Sequence, residues 1–398
     1  MSKSQAFECL CGALEQPATP LRPFAEPVMT FLNELSIALL RCPESKGYPD
    51  VVTFAFFCRR ANLEHMRVEY AGALDDRLGR GTVFHVAPSN VPINFAYSLA
   101  AALLAGNRSV VKASSKDFAQ ARIVCRAIST LLAGEYGALA PYVNVVMYPR
   151  ELQELTERFS AACDIRVIWG GDETVRRVRE AALAPRAFDV TFADRYSLLC
   201  VRAEKVLSMD EKELARAALG FYNDTYLTDQ NACTSPRLVY WVGASEAVSR
   251  ARARFWPAVH AAAAERYPIE PVLAVDKLTA ACRAAIELEG AHKEPMPDNL
   301  TVCVSLRELC PGLEAHRCAG GFFLEYADEC LDALEKIVDA RYQTLTCMGF
   351  DPAELRAFVL EHGLRGIDRV VPVGHSMDFA LTWDGYDLIR TLSRRVVC

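Results

Sequence analysis

Short apolar segments alternate with longer amphipathic ones between Gly81 and Leu183, and this alternation limits the possible folds more than any other feature. Apolar segments of five or six residues without a polar face are typical of strands buried on both sides, and the segments between them have helical periodicity. Together they predict a parallel, doubly wound sheet. We predict strands over 82–87, 109–113, 142–147 and 165–169, a helix that ends at Gly106-Asn107, and helices over 116–132, 151–159 and 172–183.

A second alternating region follows the apolar stretch 188–192. Upstream of both regions, residues 1–75 are predicted to be largely helical, and 50–58 fits either a strand or a buried helix. The apolar end of the chain, 391–397, suits a strand. The predicted helices of the second region cover 210–221, 244–267 and 328–341, and its predicted strands cover 238–242 and 320–325.

The segment 223–236 places polar, small and turn-forming residues around Cys233, immediately before the apolar run 237–242. A loop or helix start before a core strand suits a nucleophile, because backbone N–H groups there lower the pKa of a thiol and stabilise an oxyanion. The alternative is that Cys233 is a buried structural thiol, since the chain has 15 cysteines. The loop alone leaves both interpretations open.

The composition argues against several classes of function. With 398 residues, 52% hydrophobic residues and a net charge of -6, the chain is predicted to be a soluble globular protein of more than one domain. It lacks a basic cluster interleaved with aromatics, so we expect no nucleic-acid partner, and its most apolar segment, 95–105, is too short to span a bilayer. Without a signal-peptide pattern, the many cysteines predict reduced thiols in the cytoplasm. No metal is expected, because Cys303, Cys310, His316 and Cys318 lack the close pairs of zinc sites.

Three motifs in chain order resemble those of the aldehyde dehydrogenase superfamily. The segment 88–92 (Pro-Ser-Asn-Val-Pro) resembles its Pro-x-Asn-x-Pro element, and 105–112 resembles its Ala-Gly-Asn-x-x-Val-x-Lys cofactor strand. Cys233 falls where the superfamily keeps its nucleophile. The stretches 369–375 (Arg-Val-Val-Pro-Val-Gly-His) and 382–386 (Thr-Trp-Asp-Gly-Tyr) look like the C-terminal signature of the LuxC-type acyl-CoA reductases, a branch of that superfamily.

The resemblance implies an α/β fold of the aldehyde dehydrogenase type, with two doubly wound, Rossmann-type domains and a short C-terminal oligomerisation strand. We therefore expect an NADP(H)-binding domain with a helical N-terminal region over 1–196 and a catalytic cysteine domain over 197–375. The segment 376–398 is expected to return to the cofactor domain or to pair with a partner subunit. By analogy with the superfamily, we expect a homo-oligomer.

The resemblance also assigns catalytic roles. Asn90 is expected to donate its side-chain amide to the substrate oxyanion together with the Cys233 backbone N–H. An Asn just before Pro92 also suits a helix N-cap, which is the structural alternative. Lys112 is expected to bind the adenosine ribose of a cofactor, and its alternative is a surface lysine at the end of a strand.

The expected cofactor is NADPH. Many NAD-using members carry a Glu three residues after the cofactor-binding Lys, whereas this chain has Ser115, and we include Ser114 beside it in the cofactor contact. A carboxylate would repel a 2′-phosphate, and a hydroxyl can donate a hydrogen bond to it. Gly170, Gly171 and Asp172 lie at a predicted strand-to-helix turn, where the pyrophosphate would bind against a helix N-terminus.

The expected reaction is inferred from the absence of a catalytic base that would activate water. Hydrolytic members carry a Glu that activates water, but the corresponding stretch here, 191–195, has no Glu at that position, and Asp194 is interpreted as an exposed turn residue. A thiol then replaces water as the acyl acceptor, which predicts reduction of an acyl-CoA or acyl-carrier thioester to an aldehyde through acyl-Cys233. His375 is a candidate proton donor or acceptor, with a structural histidine as the alternative. His85, in a predicted core strand, is interpreted as structural.

Three alternative functions remain open. The chain could be a hydrolytic or phosphate-activated aldehyde dehydrogenase relative, or an acyltransferase or carrier that forms acyl-cysteine without hydride transfer. It could also be a non-catalytic subunit that binds nucleotide and a partner, although the presence of Asn90, Lys112 and Cys233 argues against this. The acyl chain is not defined, because the aromatic residues near the nucleophile suit either an apolar tunnel or the core: Phe221, Tyr222 and Tyr226.

Overall fold

The computed structural model describes residues 7–398, which form two compact units. The first unit comprises the chain up to Asp194 together with Phe379–Cys398, and the second comprises Arg195–Asp378. Each unit has its own main sheet and its own apolar core. The chain passes from the first unit to the second and back, so its C-terminal residues belong to the first core.

The first unit has three consecutive helices near its start and then alternates strands and helices from Thr82 to Phe192. The segment 50–58, for which periodicity allowed a strand or a helix, lies almost entirely in the helix Pro49–Phe57. The strands are β1 (Glu8–Cys11), β2 (Arg77–Gly79), β3 (Thr82–Val86), β4 (Arg108–Lys112), β5 (Val143–Met147), β6 (Ile165–Trp169) and β7 (Phe188–Phe192). The helices are α1 (Glu26–Arg41), α2 (Pro49–Phe57), α3 (Arg60–Glu69), α4 (Asn94–Leu104), α5 (Ala119–Ala133), α6 (Gln153–Ala162) and α7 (Asp172–Arg179).

Six of these strands form one sheet in the order β1-β5-β4-β3-β6-β7, and only the edge strand β1 is antiparallel to its neighbour. The inner strands are mainly apolar because both sheet faces are covered. The strand order reverses at β3, with β4 and β5 on one side and β6 and β7 on the other. The predicted doubly wound parallel sheet is confirmed, and a reversal of this kind opens a ligand crevice at the carboxyl ends of β3 and β6.

The second unit is also a helix-covered, mainly parallel sheet. Its strand order is β10-β11-β12-β9-β8-β13-β14, in which only β10 pairs antiparallel. Its strands are β8 (Tyr196–Arg202), β9 (Pro236–Val242), β10 (His292–Lys293), β11 (Val302–Ser305), β12 (Phe322–Asp328), β13 (Tyr342–Met348) and β14 (Arg369–Pro372). Its helices are α8 (Ala203–Ser208), α9 (Glu211–Asp224), α10 (Ser245–Arg266), α11 (Pro271–Glu287) and α12 (Pro352–Glu361).

The central strands of this second sheet are buried on both faces. Leu198 and Cys200 of β8 face one apolar cluster, whereas Leu199 and Val201 face another, as the alternation of side chains along a strand requires. Every residue of β9 is buried. Cys233 lies shortly before β9, so its backbone is attached to a strand that is buried along its whole length.

The C-terminal residues return to the first unit through a hairpin, a short helix and a strand: β15 (Thr382–Trp383), β16 (Tyr386–Asp387), α13 (Leu388–Leu392) and β17 (Ser393–Arg395). The hairpin turns at Asp384 and Gly385, whose φ angles of 49° and 74° suit the two-residue turns that Asp-Gly favours. β17 pairs antiparallel with β2, and the Asn107 side chain donates to the Leu392 carbonyl at 2.9 Å. The tail thus contains the expected strand, and in this chain its partner is β2.

One prediction of secondary structure is wrong. The segment 328–341 has only a short 3-10 turn at Asp332–Lys336 instead of an α-helix. The buried residues Leu331, Leu334 and Ile337 are spaced by three positions, which is the period of a 3-10 helix and brings them to one face. The N-terminal region contains the helices α1, α2 and α3, and it also contributes the edge strand β1, which pairs with β5.

Candidate active site

Cys233 lies on a turn directly before β9, which decides between the loop and the helix start that the sequence allowed. The Ser235 backbone N–H donates to the Ala232 carbonyl at 3.1 Å and closes the turn around Cys233. The Cys233 side chain is half-buried, and its backbone carbonyl accepts a hydrogen bond from Ser197 Oγ at 2.7 Å. The turn is therefore fixed to the start of β8, while the thiol keeps partial exposure.

Gln230 fixes the chain just before this turn, and sequence reasoning missed it. Its fully buried side chain donates to the carbonyls of Pro236 and Phe322 at 2.9 and 3.0 Å, and its oxygen accepts from the N–H groups of Gly321 and Phe322. Asp229 and Gln230 both have positive φ, at 51° and 58°, a conformation that costs free energy in residues other than glycine. The hydrogen bonds of Gln230 offset that cost and hold the loop against β12.

Arg237, the second residue of β9, adds further hydrogen bonds to the same loop. Its guanidinium donates to the Cys318 carbonyl at 2.8 Å and to the Gln230 carbonyl. Tyr267, which directly follows α10, donates to the Asp229 carboxylate at 2.8 Å. The approach to Cys233 is thus held by contacts from several separate parts of the second unit.

Asp224, at the end of α9, connects the cysteine loop to the segment that carries His375. Its buried carboxylate accepts hydrogen bonds from the backbone N–H groups of Gly374 and Ser376, at 2.6 and 2.9 Å. Burial raises the pKa of Asp224 to about 6, although the two N–H donors oppose that shift. Gly220, one turn earlier in α9, allows close approach, because a side chain there would meet Gly374. Sequence reasoning also missed Asp224, because its partners lie 150 residues away.

His375 is exposed, and its Nδ1 lies 2.7 Å from Asp378 Oδ2. The Arg369 guanidinium donates to the carbonyls of His375 and Ser376 at 3.1 and 2.7 Å, so the motif 369–375 closes on itself as a hydrogen-bonded loop. Thr234, the neighbour of Cys233, donates through its hydroxyl to Met377 Sδ at 3.3 Å. The structure therefore brings the segments of Cys233 and His375 together within the second unit.

The substitution Asp224→Asn is expected to change how stability depends on pH. The folded chain binds the Asp224 proton more tightly than an unfolded chain, in which the pKa is near 3.8. The free energy of unfolding is expected to fall as the pH rises from about 4 to about 6, by up to about 3 kcal/mol, and this contribution is constant at higher pH. Urea unfolding from pH 4 to 7 should show the advantage of the wild type over Asp224→Asn shrinking by that amount, and parallel curves would contradict it.

The aromatic residues near the nucleophile belong to the core. Tyr222 stacks on Tyr226 with ring centroids 5.7 Å apart, and the Tyr226 hydroxyl lies 2.7 Å from Thr301 Oγ1. Phe221 packs edge-on against Phe255. Of the two roles that the sequence allowed, the structure gives these residues the core role.

The remaining site residues lie in the first unit, at the carboxyl ends of adjacent strands. Asn90 follows β3, Lys112 ends β4, and the turn after β6 contains Gly170 and Gly171. These strands are neighbours in the order β4-β3-β6, so the four residues surround the point where the strand order reverses. The predicted cofactor residues are thus clustered within one unit, at the edge where doubly wound sheets bind ligands.

The N-cap position of α4 is occupied by Ile93, whose side chain makes no capping hydrogen bond, so Asn90 does not stand at the N-cap position. Asn90 itself is exposed. Lys112 is half-buried with its Nζ 4.8 Å from the centre of the Tyr148 ring, and burial lowers the pKa of Lys112. It therefore differs from the fully exposed surface lysine of the alternative interpretation.

The turn after β4 presents hydroxyl side chains, whereas the turn after β6 exposes the backbone at the start of α7. Ser115 is exposed, and Ser114 Oγ accepts the Lys116 backbone N–H at 3.1 Å. Gly171 is the N-cap of α7, which has no side-chain capping hydrogen bond, and a side chain at Gly171 would meet no atom within 4 Å. Asp172 is exposed and accepts the Asp194 backbone N–H at 3.4 Å. The first turn of α7 is therefore open to an acceptor that approaches its backbone N–H groups.

Several other candidates have structural roles. His85 is fully buried on β3 with Nδ1 2.7 Å from Ser98 Oγ, and burial lowers the pKa of His85 to about 3, so it stays neutral. None of the fifteen cysteines, all of which lie within residues 7–398, forms a disulfide. Among residues 7–398, no three His, Cys, Asp or Glu side chains are grouped as a metal site would require. Within the same residues, every helix is too short or too polar to cross a membrane.

Solved structures with this fold are aldehyde dehydrogenases. A benzaldehyde dehydrogenase from Corynebacterium glutamicum superimposes with a TM-score of 0.64 at 16% identity, over 98% of this chain and 94% of that one. Lactaldehyde dehydrogenase from Escherichia coli gives 0.64 at 13% identity, over 100% and 96% of the two chains. The predicted fold class is confirmed, because the chain has the fold of these aldehyde dehydrogenases.

The sequence identifies the branch. The family model for LuxC acyl-CoA reductases matches residues 50–395, and this chain belongs to that family, as its motifs predicted. A long-chain acyl-protein thioester reductase from Aliivibrio fischeri is 27% identical over 218 residues, which is 52% of this chain and 41% of that protein. The corresponding reductase from Photorhabdus laumondii is 27% identical over 165 residues, 41% of this chain and 32% of that protein. The chain thus matches less than half the length of these relatives, and the family is one of aldehyde-forming oxidoreductases.

Proposed function

We propose that this chain reduces an acyl thioester, carried on CoA or on a carrier protein, to an aldehyde with NADPH. The observation that carries the proposal is the half-buried Cys233, on a turn held by Ser197 and Gln230 and in contact with the segment of His375. Membership of the acyl-CoA reductase family and the names of the curated thioester reductases support it. The acyl group and the thiol that carries it are proposed only as chemical classes.

In this proposal, Cys233 attacks the thioester carbonyl carbon, so that a new S–C bond forms and an electron pair moves to the oxygen. The Asn90 side-chain amide and the Cys233 backbone N–H donate hydrogen bonds to that oxyanion. When the oxyanion collapses, the bond to the leaving thiolate breaks and acyl-Cys233 remains. A thiolate is a weak base, so its departure requires little proton donation.

The carboxyl edge of the first sheet fits a nicotinamide dinucleotide. Lys112 is positioned to bind a ribose hydroxyl, and the uncapped first turn of α7, with space above Gly171, can donate N–H groups to the pyrophosphate. Because Asp172 and Glu173 make that turn acidic, the contact is proposed through the backbone and not through these side chains. When bound, NADPH supplies the hydride that reduces the acyl carbon. Release of the aldehyde returns Cys233 to its thiolate form.

His375 is proposed as the group that holds and moves the proton in this cycle. Its Nδ1 contact with Asp378 orients the ring and favours a proton on Nδ1, so that Nε2 is the exchanging atom. Asp224 and Arg369 act as positioning residues, because they fix the N–H groups and carbonyls of the turn that carries His375. In this proposal they hold the turn of His375 beside the Cys233 turn, which it contacts through Met377 and Thr234, and they do not touch the substrate.

The absence of a base for water supports a thiol as the partner of acyl transfer. In the stretch 191–195, the only carboxylate is Asp194, which is exposed and follows the end of β7. A carboxylate in bulk solvent does not hold a water against a buried thioester. This favours the reductase over the hydrolytic alternative.

The choice of NADPH rests on the turn after β4. Ser115 and Lys116 are both exposed there, and a 2′-phosphate would meet a hydroxyl donor and an ammonium group instead of a carboxylate. Structural neighbours include an NAD-dependent benzaldehyde dehydrogenase and an NADP-dependent glyceraldehyde-3-phosphate dehydrogenase. The fold therefore accepts both nucleotides, and the turn residues decide between them.

The direct test is NADPH oxidation with acyl-CoA thioesters of increasing chain length, followed by aldehyde analysis and intact mass. We expect NADPH consumption, an equal amount of aldehyde, and an acyl adduct that accumulates when the nucleotide is omitted. An adduct that forms without hydride transfer would replace the reductase with an acyltransferase or carrier. Neither adduct nor oxidation with any thioester, including an acylated carrier protein, would overturn the proposal.

A further inference from the structure

The helix α11 has a second apolar face that the second unit does not cover. Its inner face, which includes Ala281 and Ala284, packs on the sheet. Of the twelve large hydrophobic residues that are exposed among residues 7–398, four lie on the outer face of this one helix, so the exposure is concentrated and not scattered. These four are Val272 (61% exposed), Val275 (63%), Leu278 (52%) and Ile286 (83%).

The spacing on this outer face is that of a helix-pairing seam. Residues 272, 275, 279, 282 and 286 are separated by three and four positions in turn, which places them in one stripe along the helix. Cys282 is exposed in the stripe, and Thr279 lies at its centre. A seam with this period requires a partner helix of similar length to cover it.

The charges beside the seam define the partner. Asp276 and Arg283 are exposed, seven residues apart, on the same flank of the stripe. Arg283 Nε lies 3.7 Å from Glu287 Oε1 of the same helix, but an exposed pair of this kind contributes little, so the guanidinium can also meet a second carboxylate. When two copies of one helix pair antiparallel about a two-fold axis, the same flank of each helix faces that flank of the other. Asp276 of one copy then meets Arg283 of the second copy. By symmetry, Arg283 of the first copy meets Asp276 of the second. Parallel pairing would place these charges opposite the uncharged flank that contains Leu278. The pattern is self-complementary only in the antiparallel arrangement.

We propose that α11 is a two-fold interface at which a second copy of this chain binds antiparallel, centred on Thr279. Val272 then packs near Ile286 of the second copy, and Val275 packs near Cys282 of the second copy. A membrane surface is disfavoured as the occupant, because the exposed charges beside the stripe are mixed, with Asp276 and Glu287 next to Arg283, and do not form a basic face. A single helix pair buries little area, so the association is expected to be of about micromolar strength.

The test is a charge swap in the full-length chain, measured by analytical ultracentrifugation over about 1–100 μM. Asp276→Arg alone and Arg283→Asp alone should each weaken self-association by at least about tenfold, because each creates two like-charge contacts across the axis. The double variant should restore wild-type association. Val275→Glu should abolish the step, and Leu360→Glu, at an exposed apolar position of α12, should leave it unchanged.

A disulfide trap locates the axis independently of affinity. Thr279→Cys should form a cross-linked dimer under mild oxidation, whereas Ser249→Cys should not exceed the wild type. Both positions are exposed hydroxyl residues on helices of the same unit, and each bonds the carbonyl four residues earlier. A wild-type chain that stays monomeric, or an association that Val275→Glu does not change, would overturn the proposal. Single-charge effects that the double swap does not reverse would likewise overturn it, because they indicate a different protein partner.

Discussion

Cys233→Ala is expected to lower thioester reduction by at least about 10⁴-fold and to eliminate the acyl adduct. The substitution removes the atom that forms the covalent bond, and what remains is the weak acceleration that substrate binding alone provides. Because the Cys233 turn is held through backbone groups and through Gln230, loss of the thiol should leave the fold intact. The measurements are steady-state NADPH oxidation and intact mass after incubation with an acyl-CoA.

The matched control is Cys310→Ala, since Cys310 is also a half-buried free thiol of the second unit. It should keep wild-type activity and the adduct. Cys233→Ser should retain the shape of the turn but react slowly, because a hydroxyl ionises far less readily than a thiol. If Cys233→Ala kept a tenth or more of the activity, Cys233 would be a structural thiol and another group would carry the acyl transfer.

The sequence predicts the first sheet better than the second, for a physical reason. The strands β3, β4, β5 and β6 are inner parallel strands, so each is a mainly apolar run of five residues that alternates with a helical segment. In the second unit, β11 has only four residues and no preceding signal of this regular alternation. Local pattern also overpredicts, as in 328–341, where buried residues spaced by three positions form a 3-10 turn instead of the predicted α-helix.

Candidate site residues can be predicted from sequence when the signal is local, and they cannot when their role depends on distant partners. Cys233 and His375 are identifiable because each lies in a recognisable stretch of sequence. Gln230 and Asp224 are not, because their roles depend on partners about 90 and 150 residues away. A buried Gln or Asp in a loop has no periodic neighbour that reveals its contacts. Such residues become visible only when the strands that supply their N–H and carbonyl partners are in place.

Cofactor preference is the feature that one surface residue should control. Ser115 is exposed on the turn after β4, where no core contact limits the side chain. A carboxylate there can accept hydrogen bonds from both ribose hydroxyls of NADH, and it repels the 2′-phosphate of NADPH. The neighbouring Lys116 stays in place in either case. The proposed preference for NADPH is therefore expected to reverse when only the group at position 115 changes.

Ser115→Glu is expected to reduce the ratio of kcat/KM for NADPH over NADH by about 100-fold, because a like-charge contact with the phosphate costs several kcal/mol. Both values should be measured with one acyl-CoA at fixed ionic strength, since salt screens an exposed charge. Thr130→Glu adds the same charge at an exposed site of α5 and should leave the ratio unchanged. If the ratio changed equally in both variants, net charge would explain it. If it changed in neither, the 2′-phosphate would bind away from Ser115, and Lys116 or another cation would have to define the nucleotide.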